Sequence, residues 1–143
     1  MRAIALVSVL SLAAGCSAEK KLLRETQNSE RSLMQSATVY WEAMRWNDFG
    51  TAAGFLEDQE QRLVWMADVG TSGGEFRYQS ATVLRVEVGT ASETPDERGA
   101  IRDGTAAVQV VGYRLPKQLL EQRVELQRWY QVDSGAWFIE ATE

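Results

Sequence analysis

The apolar residues of this chain change their spacing once, across a glycine-containing segment, Gly70-Thr71-Ser72-Gly73-Gly74. Before this segment they recur every three to four residues, which is typical of amphipathic helices, and after it they recur every second residue, which is typical of half-buried strands. Helices followed by a run of strands predict an α+β fold. We therefore expect N-terminal helices that cover one face of a strongly curved antiparallel sheet of about four strands.

Three helices are predicted before the change. One apolar stripe of helical spacing marks the first, and its members are Leu33, Ala37, Tyr40, Trp41 and Met44. Asp48 can cap a short second helix by accepting hydrogen bonds from free backbone amides. A third helix is expected over 57–67, where acidic residues at the start favour a helix N-terminus.

The strands are predicted from period-two alternation and turn residues. The first strand is predicted from about Phe76, with clear alternation over 82–88, and it precedes a long polar loop, Gly89 to Gly104. Further strands are expected over 105–115 and 119–132. Asp133-Ser134-Gly135 suits a tight hairpin turn, so that 136–141 returns as the last strand. Within the loop, the segment 93–103 is either a lid or partner-binding loop or a solvated hairpin of mixed charge.

The C-terminal hairpin is predicted to be apolar on both faces. If residues 133–135 form the loop, Trp129 pairs with Ile139 and Gln131 with Trp137, while Tyr130 and Phe138 point to the other side. Only one face can meet the helices. We therefore consider Trp129, Trp137 and Ile139 as an interface with another protein or a second copy; the alternative is that sheet curvature or the N-terminal segment covers them.

The N-terminus has the features of an export signal. Met1-Arg2 supplies positive charge, and the apolar stretch Ala3 to Ala14 is shorter than the about 20 residues that a permanent membrane helix needs. It ends in Leu12-Ala13-Ala14-Gly15-Cys16, which resembles the lipobox of bacterial lipoproteins. The resemblance implies cleavage between Gly15 and Cys16 and attachment of acyl chains, such as palmitate, to the cysteine.

Cys16 is the only cysteine of the chain, so no intramolecular disulfide can form. The lipoprotein resemblance implies an anchor of several acyl chains, because a single chain binds membranes only marginally. Ser17 after the cysteine resembles the sorting signal for the outer membrane, facing the periplasm. The predicted organisation is a signal peptide over 1–15, a lipidated cysteine with a tether or the start of a helix over 16–32, and one domain over 33–143.

The helical run YWEAMRWNDFGTAAGFL and the hairpin RWYQVDSGAWFIEA resemble the NTF2-like, or cystatin-like, α+β domains. The resemblance implies a cone formed by the long helix and the curved sheet, which either binds a small apolar molecule or is filled with side chains. It also implies a range of roles, from isomerases and lyases to domains that dimerise or bind partners.

Few residues could support catalysis. The chain has no histidine and, once Cys16 is acylated, no free thiol, which argues against imidazole or thiolate metal sites and thiol nucleophiles. A carboxylate in an apolar pocket is one alternative, for which Tyr40, Trp41 and Asp48 are the pocket residues considered. Helix capping is the other reading of Asp48.

The net charge of −5 and the lack of a basic run argue against nucleic acid as a partner. We expect no cofactor and no metal. The sequence favours a lipid-anchored, non-enzymatic binding or assembly module of the cell envelope, acting on an envelope protein, on a second copy or on a small apolar ligand. Its alternatives are an enzyme that uses a carboxylate in the cone and a purely structural envelope lipoprotein.

Overall fold

The computed structural model describes residues 14–72 and 75–141. Within these ranges the chain has an α+β fold, with a long N-terminal helix and short helices packed on an antiparallel sheet of four strands that does not close. The predicted fold class is therefore confirmed. The helices are α1 (Ala14–Arg45), α2 (Phe49–Ala53) and α3 (Gln59–Ser72), and the strands are β1 (Phe76–Val88), β2 (Ala100–Arg114), β3 (Leu119–Val132) and β4 (Trp137–Ile139).

The second half of α1 supplies the helical side of the core. All five residues of the predicted stripe are buried: Leu33, Ala37, Tyr40, Trp41 and Met44. Glu42 and Arg45 on the opposite side are exposed. The segment 16–32 continues the same helix, and most of its side chains are exposed. The predicted signal peptide lies mostly outside the described residues.

A single junction ends α1 and begins α2. Asn47 adopts a positive φ of 58°, and the amide of Asp48 donates to the carbonyl of Ala43 at 2.8 Å, which closes α1 in the manner of a Schellman motif. The side chain of Asp48 then accepts from the amide of Thr51 and caps α2. The predicted cap is confirmed.

The strands follow one another in the order β1-β2-β3-β4. Val83 pairs with Val108 on β2, and Val108 pairs in turn with Glu125 on β3. Two register shifts in β1 and one in β2 mark bulges, which bend strands and increase their twist. These irregularities are compatible with a curved sheet around α1.

The C-terminal hairpin has the predicted register. Trp129 pairs with Ile139 and Gln131 with Trp137, and the amide of Val132 donates to the carbonyl of Ala136 at 3.0 Å. The amide of Ile139 donates to the carbonyl of Phe55 at 2.8 Å, which ties β4 to the segment after α2.

The two largest differences from the predicted boundaries lie at the start of β2 and at the end of α3. The strand β2 begins at Ala100, so the polar loop is shorter than 89–104, because backbone pairing with β3 extends past the charged residues Arg102 and Asp103. The helix α3 continues to Ser72, through three residues of the predicted loop; Gly73 and Gly74 lie outside the described residues.

Candidate functional site

The interior between α1 and the sheet is filled by aromatic side chains. The ring of Tyr40 packs edge-on against Trp41, Phe55 and Trp129, with centroids 5.3, 6.2 and 6.1 Å apart. Trp41 packs in the same way against Tyr78 at 5.9 Å. Two of the residues predicted to line a pocket, Tyr40 and Trp41, are therefore core residues that occupy the space a ligand would need.

Gln127 of β3 satisfies two buried indoles at once. Its side-chain oxygen accepts a hydrogen bond from Trp41 Nε1 and another from Trp129 Nε1, both at 3.1 Å. A buried indole N–H requires an acceptor. Gln127, on the inner face of β3, therefore allows both tryptophans to be buried in the aromatic core.

Asp48, the third predicted pocket residue, is exposed and does not enter the interior. Its carboxylate accepts from the Thr51 hydroxyl at 2.7 Å and from the Thr51 amide at 3.2 Å. These two hydrogen bonds hold the pKa of Asp48 below its usual value. A catalytic base in an apolar pocket would instead have a raised pKa, so the capping role is the one that the geometry supports.

Two phenols that face the interior, Tyr40 and Tyr78, are held in their neutral form. Burial raises the pKa of Tyr40, and the neighbouring Tyr78 and Glu125 add to the shift. Burial and Glu125 also raise the pKa of Tyr78. Glu125 itself is paired with Arg123 at 2.6 Å. This arrangement offers neutral hydroxyl groups and no free carboxylate base.

The aromatic face predicted as an interface belongs to the core, which corrects that assignment. Trp129 and Trp137 are 1% and 3% exposed, and Ile139 packs against the same cluster. Trp137 Nε1 donates to the hydroxyl of Ser32 on α1 at 2.7 Å. The N-terminal helix covers this face, as the alternative interpretation required.

The loop before β2 is held by ion pairs. Arg98 reaches Asp96 at 2.7 Å, Asp103 at 2.9 Å and Glu140 at 3.3 Å, and its guanidinium lies 5.0 Å from the ring centroid of Tyr130. Tyr130 in turn donates its hydroxyl to Glu57 at 2.8 Å. These contacts fix the loop against β3 and the segment after β4, and they favour the solvated-hairpin reading over a lid.

Two grooves lie away from the aromatic interior. One, of about 500 Å³, is lined by Cys16 and by residues of the next three turns of α1, including Leu22 and Leu23. The other, of about 290 Å³, lies at the β2–β3 turn and is lined by residues from Arg114 to Glu121. Neither contains Tyr40, Trp41 or Asp48.

An apolar strip on the outer face of β3 was not identified as a site from the sequence. Its members are Leu120, Val124 and Leu126, which are 65%, 58% and 72% exposed. We call these three residues the outer strip. The period-two alternation of β3 placed them on one face, but alternation alone does not say which face the helices cover.

The described residues contain no group of His, Cys, Asp and Glu side chains that could hold a metal ion. Across the same part of the chain, no helix is both long and apolar enough to cross a membrane. A comparison with models of protein families gives no match, and a comparison with curated proteins gives none either.

Proposed function

We propose that this chain is a bacterial lipoprotein, held at the outer membrane through acylated Cys16, whose NTF2-like domain is a non-enzymatic binding or assembly module in the periplasm. The position of Cys16 supports the anchor. Its side chain is exposed in the first turn of α1, and the mostly exposed half of that helix precedes the first core residue, Leu33. Acyl chains at this point would not disturb the core.

The outer strip is the observation that carries the binding role. Leu120, Val124 and Leu126 occupy even positions of β3 and therefore point to the same side of the sheet. On β2, Tyr113 lies opposite Leu120 and Ala107 lies opposite Leu126. A row of large exposed apolar side chains on a sheet is costly in water and marks a surface where another molecule docks.

The filled interior argues against the enzymatic alternative. An enzyme acting in the cone needs an ionisable group in an open pocket, whereas Tyr40 and Trp41 pack against Phe55, Tyr78 and Trp129. Asp48 is directed to α2 and to solvent. A protein that binds through its outer surface requires no such pocket.

The test uses a photo-crosslinking amino acid in place of Gln122, which is exposed on the outer face between Leu120 and Val124. We expect crosslinks in intact envelopes to one protein, either a second copy or another envelope protein. Sedimentation of the purified lipoprotein in neutral detergent distinguishes the two, because only self-association changes its mass.

The matched variants are Leu126→Ser and Leu63→Ser. Leu63 lies on α3 and is 64% exposed, so its replacement removes a similar apolar surface elsewhere. The crosslink should be lost in Leu126→Ser and kept in Leu63→Ser. Equal crosslinking in both variants, or no crosslink from position 122, would contradict a binding role for the outer strip.

A further inference from the structure

Arg102 is a buried arginine, and two of its three guanidinium nitrogens are enclosed without a hydrogen-bond partner among the described residues. Its side chain is 8% exposed, and its Nε and Nη1 atoms are buried and have no hydrogen-bond acceptor. A guanidinium group has five N–H donors and no acceptor, so burying it without acceptors is costly. A buried charge that persists in a fold is normally matched by an opposite charge.

A bulge in β2 directs Arg102 into the core. Ala100 pairs with Val132, but Arg102 pairs with Gln131, so one extra residue, Ile101, is inserted at this point. Bulges re-aim side chains in this way and are frequent next to functional sites. Without the insertion, the alternation of the strand would place Arg102 opposite Tyr130 on the other face.

The face that receives Arg102 lies under α1. Directly opposite residues of an antiparallel ladder share a face, and Arg102 lies opposite Gln131, which lies opposite Trp137. Gly104, two residues further along β2, faces Leu33 of α1 so closely that an added Cβ would lie 2.7 Å from Leu33 Cδ2. Arg102 therefore belongs to the helix-covered side of the sheet.

The polar groups around this position are engaged with one another. Trp137 Nε1 donates to Ser32 Oγ at 2.7 Å, and Ser32 Oγ donates to the Ser29 carbonyl at 3.4 Å. Gln131 Nε2 donates to the Gly135 carbonyl at 3.1 Å. None of the groups in these hydrogen bonds carries a negative charge.

We propose that Arg102 is the anchoring residue of a binding site for a small oxyanion, a carboxylate or a phosphate, beneath the Ser29–Leu33 turn of α1. An oxyanion would supply both the missing charge and the missing acceptors, and charge-assisted hydrogen bonds to guanidinium groups are among the strongest in proteins. The site is separate from the outer strip and does not depend on the proposed docking role.

The test is thermal unfolding of the full lipoprotein in neutral detergent, with acetate or inorganic phosphate added against chloride at constant ionic strength. A ligand that binds only the folded state raises the midpoint, and we expect a saturable rise on the order of 5 °C with one of the two anions. The acetate and phosphate arms distinguish a carboxylate ligand from a phosphate. No rise with either anion beyond that with chloride would overturn the proposal.

Two variants test whether the rise in unfolding temperature with anion depends on Arg102. Arg102→Met should abolish the anion response and, without anion, should unfold at the same or a higher temperature, because it removes an unpaired buried charge. Arg85→Met, at a position whose side chain is 68% exposed on β1, should keep the full response. An equal response in wild type and Arg102→Met would overturn the assignment to Arg102.

A measurement on the unaltered chain covers the case in which Arg102→Met does not fold. Phosphate or acetate should shift the nuclear magnetic resonance signals of the Trp137 indole N–H and the Gln131 side-chain amide, and the shifts should saturate. Unchanged signals would contradict the site. A response that appears only after Glu30→Gln would also contradict it, since it would mean that Glu30, on α1, already pairs with Arg102 in solution.

Discussion

Trp41 of α1 donates its indole N–H to the side-chain oxygen of Gln127 on β3 at 3.1 Å. The same oxygen accepts from Trp129 Nε1. One polar side chain thus connects the long helix to the inner face of the sheet and satisfies two indoles that are 3% and 1% exposed. The relationship explains how a strand with polar residues on its inner face still supports an apolar core.

Replacing Gln127 by leucine should destabilise the fold although it makes the interior more apolar. Both indole N–H groups would lose their acceptor, and each buried unsatisfied donor costs about 1–3 kcal/mol. We expect the free energy of unfolding, measured by urea denaturation, to fall by about 2–4 kcal/mol. Gln122→Leu, on the exposed face of β3, is the control and should change it little. Equal effects of the two substitutions would contradict the role assigned to Gln127.

At Gly104 the sheet and α1 are in close contact. A Cβ at this position would lie 2.7 Å from Leu33 Cδ2 and 2.9 Å from the Trp137 ring. Gly104→Ala should therefore lower the free energy of unfolding by about 1–3 kcal/mol through overpacking.

Gly89→Ala is the matched control for Gly104→Ala, because a Cβ there meets only the Asp103 carbonyl at 3.5 Å, an ordinary contact. The two variants are compared by urea denaturation. A Gly104→Ala protein as stable as Gly89→Ala would show that the helix and sheet are not packed this closely.

Asp48 should behave as a helix cap. Asp48→Asn keeps an oxygen that can accept from the Thr51 amide, whereas Asp48→Ala removes it. We expect thermal unfolding of Asp48→Ala to occur at a lower temperature and that of Asp48→Asn to stay near wild type. An Asp48→Ala protein that unfolds at the wild-type temperature would contradict the capping role.

The buried phenol of Tyr40 predicts a loss of stability in alkali. Its pKa is raised in the folded chain, so its contribution to stability is complete below the unfolded pKa of about 10 and is lost progressively as the pH rises above it. Tyr40→Phe should reduce the slope of the free energy of unfolding against pH above about pH 10. An unchanged slope in this variant would contradict the neutral, buried state of Tyr40.

The elements that local pattern determines were predictable from the sequence. The stripe from Leu33 to Met44 has helical spacing, and Asp133-Ser134-Gly135 fixes both the hairpin and the register of Trp129 with Ile139. The choice between capping and catalysis at Asp48 required geometry, because both roles use the same residue at the same helix start.

The period-two alternation of apolar residues does not show which face of the C-terminal hairpin is buried. Both faces of the hairpin are apolar, and what decides between them is a contact between Trp137 and Ser32, which are 105 positions apart. The exposure of the outer strip could not be predicted for the same reason. The start of β2 was predicted as a polar loop because it contains the charged residues Arg102 and Asp103. Pairing with β3, which is distant in sequence, makes it a strand.

Acylation of Cys16 is tested by the intact mass and membrane partitioning of the protein expressed in a diderm host, beside Cys16→Ala. We expect a mass that matches a chain beginning at Cys16 plus acyl groups, together with retention in the outer membrane, and the loss of both in Cys16→Ala. A wild-type protein that is unmodified and released from membranes, like the variant, would contradict it.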